Sequence, residues 1–158
     1  MRTLSLSPMN RFAEFAPLVV RIIAGIIMAA HGFQKLQGGP GNFGGFLAQL
    51  GVPLPTLMGY VVTLVELVGG ILLIVGLLSR LAALLLTFDL VVAILLVKVN
   101  VGLIAPPQQG AGAELDLALI AGFLVILFAG PGSVSLDRTL GIEEGAAQAP
   151  ARPRRVGG

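Results

Sequence analysis

Four long apolar runs dominate the pattern of hydrophobic and polar positions along the chain. They cover residues 17–36, 56–78, 81–103 and 115–129. A helix of about twenty residues is about 30 Å long, which matches the hydrocarbon thickness of a bilayer. The last run is the shortest and needs a few flanking residues at each end to reach that length. The pattern therefore predicts an all-α protein, an integral membrane bundle of four helices.

The segments between the runs are short and rich in turn-forming residues. Residues 38–55 contain glycine and proline around a short helix predicted at 43–50, and residues 105–110 are polar and interrupted by proline. Only Ser79 and Arg80 separate the second and third runs, so those two helices must be antiparallel neighbours. We predict an interfacial segment at 1–16, a four-helix domain at 17–138 and a disordered basic tail at 139–158.

Composition supports the membrane assignment and excludes several kinds of site. The chain of 158 residues is 56% hydrophobic and 11% charged, with a mean hydropathy of +0.96. A soluble domain of this length cannot bury so much apolar surface. The absence of cysteine and the presence of one histidine exclude disulfides, iron–sulfur clusters and bis-histidine haem binding within one chain. We predict no metal site, and a net charge of +2 gives no support to a nucleic-acid partner.

The distribution of cations predicts the orientation in the membrane. With four crossings, both termini and the Ser79-Arg80 turn lie on one side. That side carries Arg2, Arg11, Arg80, Arg138, Arg152, Arg154 and Arg155, whereas the other side carries Lys35 and Lys98. Cations are retained on the cytoplasmic side, so we predict a plasma-membrane protein with both termini in the cytoplasm and tail arginines against anionic lipids. A cleaved signal peptide ending near Ala30 is disfavoured, because Met28 stands where cleavage requires a small residue.

Three ionisable residues, Arg21, Glu66 and Asp89, fall inside the apolar runs on helix faces that they share with small residues. A charged group at the centre of a bilayer costs about 2.5–3.5 kcal/mol, and small residues mark contacts between membrane helices, so we expect all three to face the bundle interior. The shared faces are Arg21 with Gly25, Met28, Gly32 and Lys35; Glu66 with Gly59, Thr63, Gly69 and Gly70; and Asp89 with Ala82, Ala93, Leu96 and Asn100.

The depths of these residues predict one polar centre. Glu66 lies about 15 Å from the outer end of its helix and Asp89 about 13 Å from the inner end of the next helix, so both are near the midplane. Arg21 lies about 6 Å from the inner boundary and is predicted to contact one of them as the charge partner. One arginine cannot balance two carboxylates, so one acid is expected to be protonated at neutral pH. Proton handling is the functional interpretation, and an ion pair that sets helix register is the structural one.

The remaining ionisable residues have weaker claims to a site. His31 and Lys35, in the outer half of the first helix, are the candidates for binding a cofactor, although a hydrogen-bonded structural role would also explain His31. Lys98 falls opposite Asp89 on a continuous helix, which favours extension to the headgroups. Glu114 and Asp116 stand at the start of the fourth helix, where acids favour the helix N-terminus.

Several blocks of the chain, taken in order, resemble the DoxX family of small bacterial membrane proteins. The blocks are Arg21-x3-Gly25-x6-Gly32-x2-Lys35-Leu36, Gly51-Val52-Pro53, Glu66-x2-Gly69-Gly70, Gly76-Leu77-Leu78-Ser79-Arg80, and Gly130-Pro131-Gly132 with Ser135-Leu136-Asp137. The resemblance covers about residues 17–138 and implies a four-helix protein of the cytoplasmic membrane, with Arg21, Lys35 and Glu66 at family positions. Val134 departs from the pattern, since that position is often aromatic in the family.

The resemblance implies several functions without selecting one. Some similar proteins belong to a thiosulfate:quinone oxidoreductase, and others are linked to oxidative-stress complexes with soluble redox partners. Our leading hypothesis is a membrane subunit for quinone-linked redox chemistry, in which Glu66 and Asp89 handle protons and Arg21 balances charge. The alternatives are a proton-coupled transporter and a structural scaffold for a partner, and the faces of small residues would also allow a homo-oligomer.

Overall fold

The computed structural model describes residues 13, 15–106 and 110–143, and within these ranges the chain is helical, with no β-strand. This agrees with the predicted all-α class. The predicted interfacial segment at 1–16 lies almost entirely outside the described residues, as does the tail from residue 144 onward. The helices are α1 (Ala16–Gly38), α2 (Pro40–Gln49), α3 (Pro55–Val75), α4 (Ser79–Leu96), α5 (Glu114–Ala129) and α6 (Leu136–Thr139).

Proline and glycine set several of the helix boundaries. A proline occupies the first turn of α1, α2 and α3, where its missing N–H costs no hydrogen bond. Helix α3 ends three residues before the predicted boundary because Gly76 adopts a left-handed conformation at φ 73°. Its N–H and that of Leu77 both donate to Leu72, which satisfies a carbonyl left free by the end of the helix.

Helix α4 is shorter than the predicted run at 81–103. It ends at Leu96, and the chain continues through a 3-10 turn at Lys98–Asn100. The carbonyls of Gly102 and Leu103 then accept hydrogen bonds from the N–H groups of Ala113 and Glu114. Residues 102–103 therefore supply acceptors to the start of α5 instead of continuing α4.

The long helices enclose a compact apolar core. Helix α1 packs most extensively against α3, and α3–α4, α4–α5 and α5–α1 contacts complete a ring, with α2 lying against α3. The centre of this ring is formed by Met28, Leu73, Leu86, Phe123 and Ile126, all fully buried. These five residues form an apolar plug that separates the polar groups at the two ends of the bundle.

Close packing between α1 and α3 depends on glycine. A Cβ atom built on Gly25 would lie 2.8 Å from the carbonyl oxygen of Gly70, and one built on Gly70 would meet the backbone of α1 in turn. Contacts this short exclude any larger residue while the helices keep their separation. The small-residue faces recognised in the sequence are thus helix–helix contacts, as expected for helices in lipid.

The outer surface of the bundle is apolar. Phe88, Leu95 and Phe128 are each more than 60% exposed, and Val19, Leu64 and Leu81 are also exposed. Among the described residues, α1, α3 and α4 are long and apolar enough to cross a membrane, whereas α5 has 16 residues. This combination identifies a membrane protein with three apolar membrane-compatible helices.

Candidate functional site

A cavity of about 250 Å³ lies at the end of the bundle where α1 and α4 end and where α3 and α5 begin. Its walls are apolar side chains from α2, α3 and α4, and its polar groups come from every long helix. The ionisable residues that line it are His31, Lys35, Glu66, Asp89, Lys98 and Asp116. Four of these six are among the five site residues predicted from the sequence, and the cavity brings them together.

The centre of the cavity is an ion pair between α1 and α3. Lys35 Nζ donates to Glu66 Oε2, and the Glu66 residue is only 5% exposed. The same ammonium lies 5.0 Å from the centre of the Phe43 ring, so a cation–π contact holds it from the side of α2. Lys35 is therefore fixed by two elements at once, with its charge turned inward.

Asp89 brings a second carboxyl group to this pair from α4. It lines the same cavity as Glu66 and Lys35. Glu66 and Asp89 thus form a carboxyl pair with one ammonium group beside it. The two acids lie near the middle of adjacent helices, α3 and α4.

The predicted contact of Arg21 with Glu66 or Asp89 is wrong. Arg21 is 2% exposed, and its guanidinium donates to the carbonyl oxygens of Pro131 and Val134, each at 2.7 Å. These carbonyls become available because Gly130 ends α5, with its backbone at φ 87°. The charge partner of Glu66 is instead Lys35, which reaches inward from the opposite end of α1.

Two site residues were missed by sequence reasoning. Lys98 lines the cavity and donates to the carbonyl of Ala111, because the change from α4 to a 3-10 turn rotates it away from the position that a continuous helix would give. Asp116 also lines the cavity, and it does not cap the helix with its side chain. The signal for Asp116 was its spacing, since it shares one face of α5 with the buried Leu119, Phe123 and Ile126.

The arrangement has the groups needed to bind and protonate a small polar molecule. Carboxyl groups can give or accept a proton, an ammonium can donate hydrogen bonds or hold a carboxylate, and His31 adds an imidazole to the lining. The apolar plug lies between these groups and Arg21. The polar chemistry of the described bundle is therefore divided between two ends that do not communicate through polar side chains in the core.

Comparison with known proteins decides the family. The family model described as DoxX matches residues 16–99, which contain α1 to α4 and most of the cavity lining. The chain belongs to the DoxX family. Val134 accepts a hydrogen bond from Arg21 through its backbone carbonyl, so this contact does not depend on the side chain at that position.

Relatives of this DoxX protein match over most of their length. It is 35% identical to "Putative oxidoreductase CatD" of Bacillus subtilis, over 82% of this chain and 90% of the relative. It is 35% identical to "Uncharacterized membrane protein Rv3486" of Mycobacterium tuberculosis, over 81% and 84% of the two chains. It is 29% identical to "Inner membrane protein YphA" of Escherichia coli, over 77% and 87%. No solved structure matches the chain.

Proposed function

We propose that this DoxX protein handles protons for quinone-linked redox chemistry in the plasma membrane. The observation that carries the proposal is the cavity in which Lys35, Glu66 and Asp89 meet from three helices. The name of the relative "Putative oxidoreductase CatD" adds support for a redox role. The chain has no cysteine, so we propose that electrons come from a soluble redox partner.

The lining of the cavity fits a quinone ring. Such a ring is flat and apolar, with two carbonyl oxygens that accept hydrogen bonds, and when bound it supplies an acceptor for two electrons and two protons. Phe43, Phe46 and Leu47 offer an apolar wall, and Lys35 and Lys98 offer N–H donors. A volume of about 250 Å³ suits the ring and leaves an isoprenoid tail in the lipid.

The carboxyl pair would then serve as the proton donor. Lys35 balances one carboxylate, and we propose that Glu66 and Asp89 share the proton that the site donates. Loss of that proton from the pair would leave a second carboxylate, which the ammonium groups of Lys35 and Lys98 in the same cavity would stabilise. The pair regains its proton from solvent at the polar end of the cavity.

The proposal includes a topology of four crossings with both termini in the cytoplasm. Helix α5 packs against α4 and α1 as the fourth member of the ring. Its 16 residues span about 24 Å, so a modest thinning of the bilayer or the flanking segments would complete the crossing. Arg80 and Arg138 lie at the end proposed to face the cytoplasm, and Lys35 and Lys98 lie at the other.

Photolabelling tests the quinone proposal directly. The purified protein in lipid nanodiscs is irradiated with a photoreactive azidoquinone, and the labelled peptides are identified by mass spectrometry. We expect label on α2 near Phe43 and on α4 near Ala93, and we expect Glu66→Gln to reduce saturable labelling several-fold. Glu114→Gln is the matched control, because Glu114 is exposed and does not line the cavity. Labelling confined to lipid-facing residues such as Phe88 would contradict the proposal.

A second experiment tests the redox partner. Proteins that co-purify with the chain in mild detergent are assayed for quinone reduction, with the wild type compared with Glu66→Gln and Glu114→Gln. Loss of quinone reduction in the Glu66 variant alone, with the partner still bound, is the expected result. Equal rates in all three samples would favour the scaffold function instead.

Proton-coupled transport is the competing function, and the apolar plug argues against it in this conformation. Among the described residues, the buried side chains between the cavity and the Arg21 end, such as Met28, Leu73 and Phe123, are apolar. Proton flux across liposomes containing the purified chain, abolished by Glu66→Gln, would favour transport over the quinone proposal.

A further inference from the structure

Asp116 occupies an unusual position at the entrance of the cavity. One of its carboxylate oxygens, Oδ2, is buried and has no hydrogen-bond partner among the described residues. A buried carboxylate oxygen left without a donor is costly. The Asp116 residue lines the same cavity as Glu66 and Asp89.

We propose that Asp116 forms the entrance of a water-accessible path that reaches the Glu66–Asp89 pair only from the end of the bundle where α5 begins. In this arrangement Asp116 balances the lysines at the entrance and draws cations and protons inward. The proposal deepens the function proposed above, since it states where the protons come from. It rests on the geometry of the cavity and does not require a quinone.

The charged groups around Asp116 come from every element that packs there. Helix α1 contributes His31 and Lys35, the 3-10 turn contributes Lys98, and Glu114 stands one half-turn away on α5 itself. Deeper in the cavity are Glu66 of α3 and Asp89 of α4. If the deep pair retains one proton, its remaining charge is balanced by Lys35. Asp116 is then the acid that balances Lys98, so its removal leaves the entrance positive.

The core between the carboxyl pair and the opposite end of the bundle is apolar and tightly packed. Below the carboxyl pair the core consists of the apolar plug together with Ala83 and Ala24, which are at most 4% exposed. The next polar group is Arg21, whose guanidinium is bound to the carbonyls of Pro131 and Val134. A proton moving from that end would have to cross several layers of hydrocarbon side chains.

Single-cysteine accessibility tests the path, and the chain is well suited to it because it contains no cysteine. The full chain is reconstituted in sealed liposomes of determined orientation and treated with a membrane-impermeant cationic thiol reagent on one side at a time. Ala93→Cys reports the cavity, Ala83→Cys reports the core on the same helix, and Thr139→Cys marks the Arg21 end. Ala24→Cys is a second core position in case Ala83→Cys does not insert.

We expect Ala93→Cys to react from the side opposite to the one that labels Thr139→Cys. The core cysteines should react only after denaturation in detergent. Equal reaction of the cavity and core positions, reaction of Ala93→Cys from the Thr139 side, or no reaction of Ala93→Cys from either side would each overturn the proposal.

The role of Asp116 is measured by the ratio of the rates at which a cationic and an anionic thiol reagent modify Ala93→Cys. Removal of one negative charge at the entrance should lower this ratio, on the order of tenfold for Asp116→Asn. Glu114→Gln, the matched control two residues away, should change it much less because water screens an exposed charge. An unchanged ratio in Asp116→Asn would refute the role of this residue.

These outcomes separate the path from the quinone function. If azidoquinone does not label the cavity but Ala93→Cys reacts from one side, the path stands and the quinone proposal fails. If labelling succeeds while Ala93→Cys is inert from both sides, the quinone proposal stands and the path fails.

Discussion

At the scale of single residues, the Lys35–Glu66 pair illustrates how a charge is kept inside a hydrophobic bundle. Glu66 is 5% exposed, whereas the Lys35 side chain retains 22% exposure towards the cavity. The free-energy cost of desolvation therefore falls mainly on the carboxylate and is offset by the ammonium, which the Phe43 ring stabilises in turn. Loss of either side chain would leave the other as a poorly solvated charge, so the stability of the site depends on both.

This dependence predicts a specific pattern of stabilities. Lys35→Met should lower the free energy of unfolding by about 3 kcal/mol, because it leaves the carboxyl pair without its cation. The double variant Lys35→Met with Glu66→Gln should recover most of that loss, since the carboxylate that Lys35 contacts is removed together with it. Thermal unfolding of the wild type, both single variants and the double variant in one detergent measures the coupling. Additive effects in the double variant would show that the two side chains do not stabilise each other.

At Gly76, the absence of a side chain leaves the space that the guanidinium group of Arg21 occupies. A Cβ atom there would lie 2.7 Å from the guanidinium carbon of Arg21, and φ is 73°. Gly76→Ala should cost about 3 kcal/mol from strain and displacement of Arg21. Gly141→Ala is the control, because Gly141 has φ 67° with nothing near its Cβ position, so only about 1 kcal/mol is expected. Equal losses of stability in the two variants would mean that Arg21 moves aside freely.

The residues at the site were only partly predictable from sequence. Glu66 and Asp89 could be placed inside the bundle because charge and small residues share a helical face. The partners of Arg21 could not be predicted, since they are backbone carbonyls more than 100 positions away, and a carbonyl has no sequence signature. The length of the Arg21 side chain suggested that it could reach a carboxylate near the midplane, but its guanidinium binds the carbonyls that follow the end of α5.

At the scale of elements, the start of helix α4 is capped by a side chain from a distant segment of the chain. Asp137 is 1% exposed and accepts hydrogen bonds from the N–H groups of Leu78 at 2.6 Å and Ser79 at 2.9 Å. These donors stand at the start of the helix, where no intrahelical acceptor exists. A carboxylate also interacts favourably with the N-terminal end of the helix dipole. The segment after α5 thus completes the turn between α3 and α4.

The cap predicts a local effect on α4. Asp137→Ala should destabilise the protein by about 2 kcal/mol and should speed hydrogen exchange in the first turn of α4 more than in its last turn. Asp137→Asn should lie between the wild type and the alanine variant, because one amide oxygen can still accept. Glu114→Gln is the control, since Glu114 is exposed at the start of α5 and lies at the end of the bundle opposite to the start of α4. Uniform acceleration along α4 would contradict a capping role.

Helix periodicity predicted which segments are helical, but it did not predict where α4 ends and the 3-10 turn begins. The boundaries of α1 and α5 lie within two residues of their apolar runs. Residues 97–103 continue the hydrophobic pattern of α4, yet their backbone turns to meet the start of α5. Hydrophobicity reports burial in lipid or protein and says little about the hydrogen bonds that end a helix. Lys98 was therefore assigned to the wrong face.

At the scale of the whole molecule, the two ends of the bundle have different characters. One end holds the cavity and its six ionisable side chains. The other end is fastened by Arg21, Arg80 and Asp137, which bind the segment after α5 to the rest of the bundle. The apolar plug separates the two. The proton-handling site that we propose lies at one end only, so the proposal requires the chemistry to take place on one side of the membrane.

The topology prediction follows from this division. If α5 crosses the membrane, Ala111 and Thr139 must lie on opposite sides, and the arginine-rich end must be cytoplasmic. In intact cells, Ala111→Cys should therefore react with an impermeant thiol reagent, whereas Thr139→Cys should react only after the membrane is permeabilised. Both positions are exposed, so each cysteine can react with a reagent that reaches its side of the membrane. Labelling of both positions from outside would mean that α5 does not cross, and the cavity would then lack its fourth membrane-spanning wall.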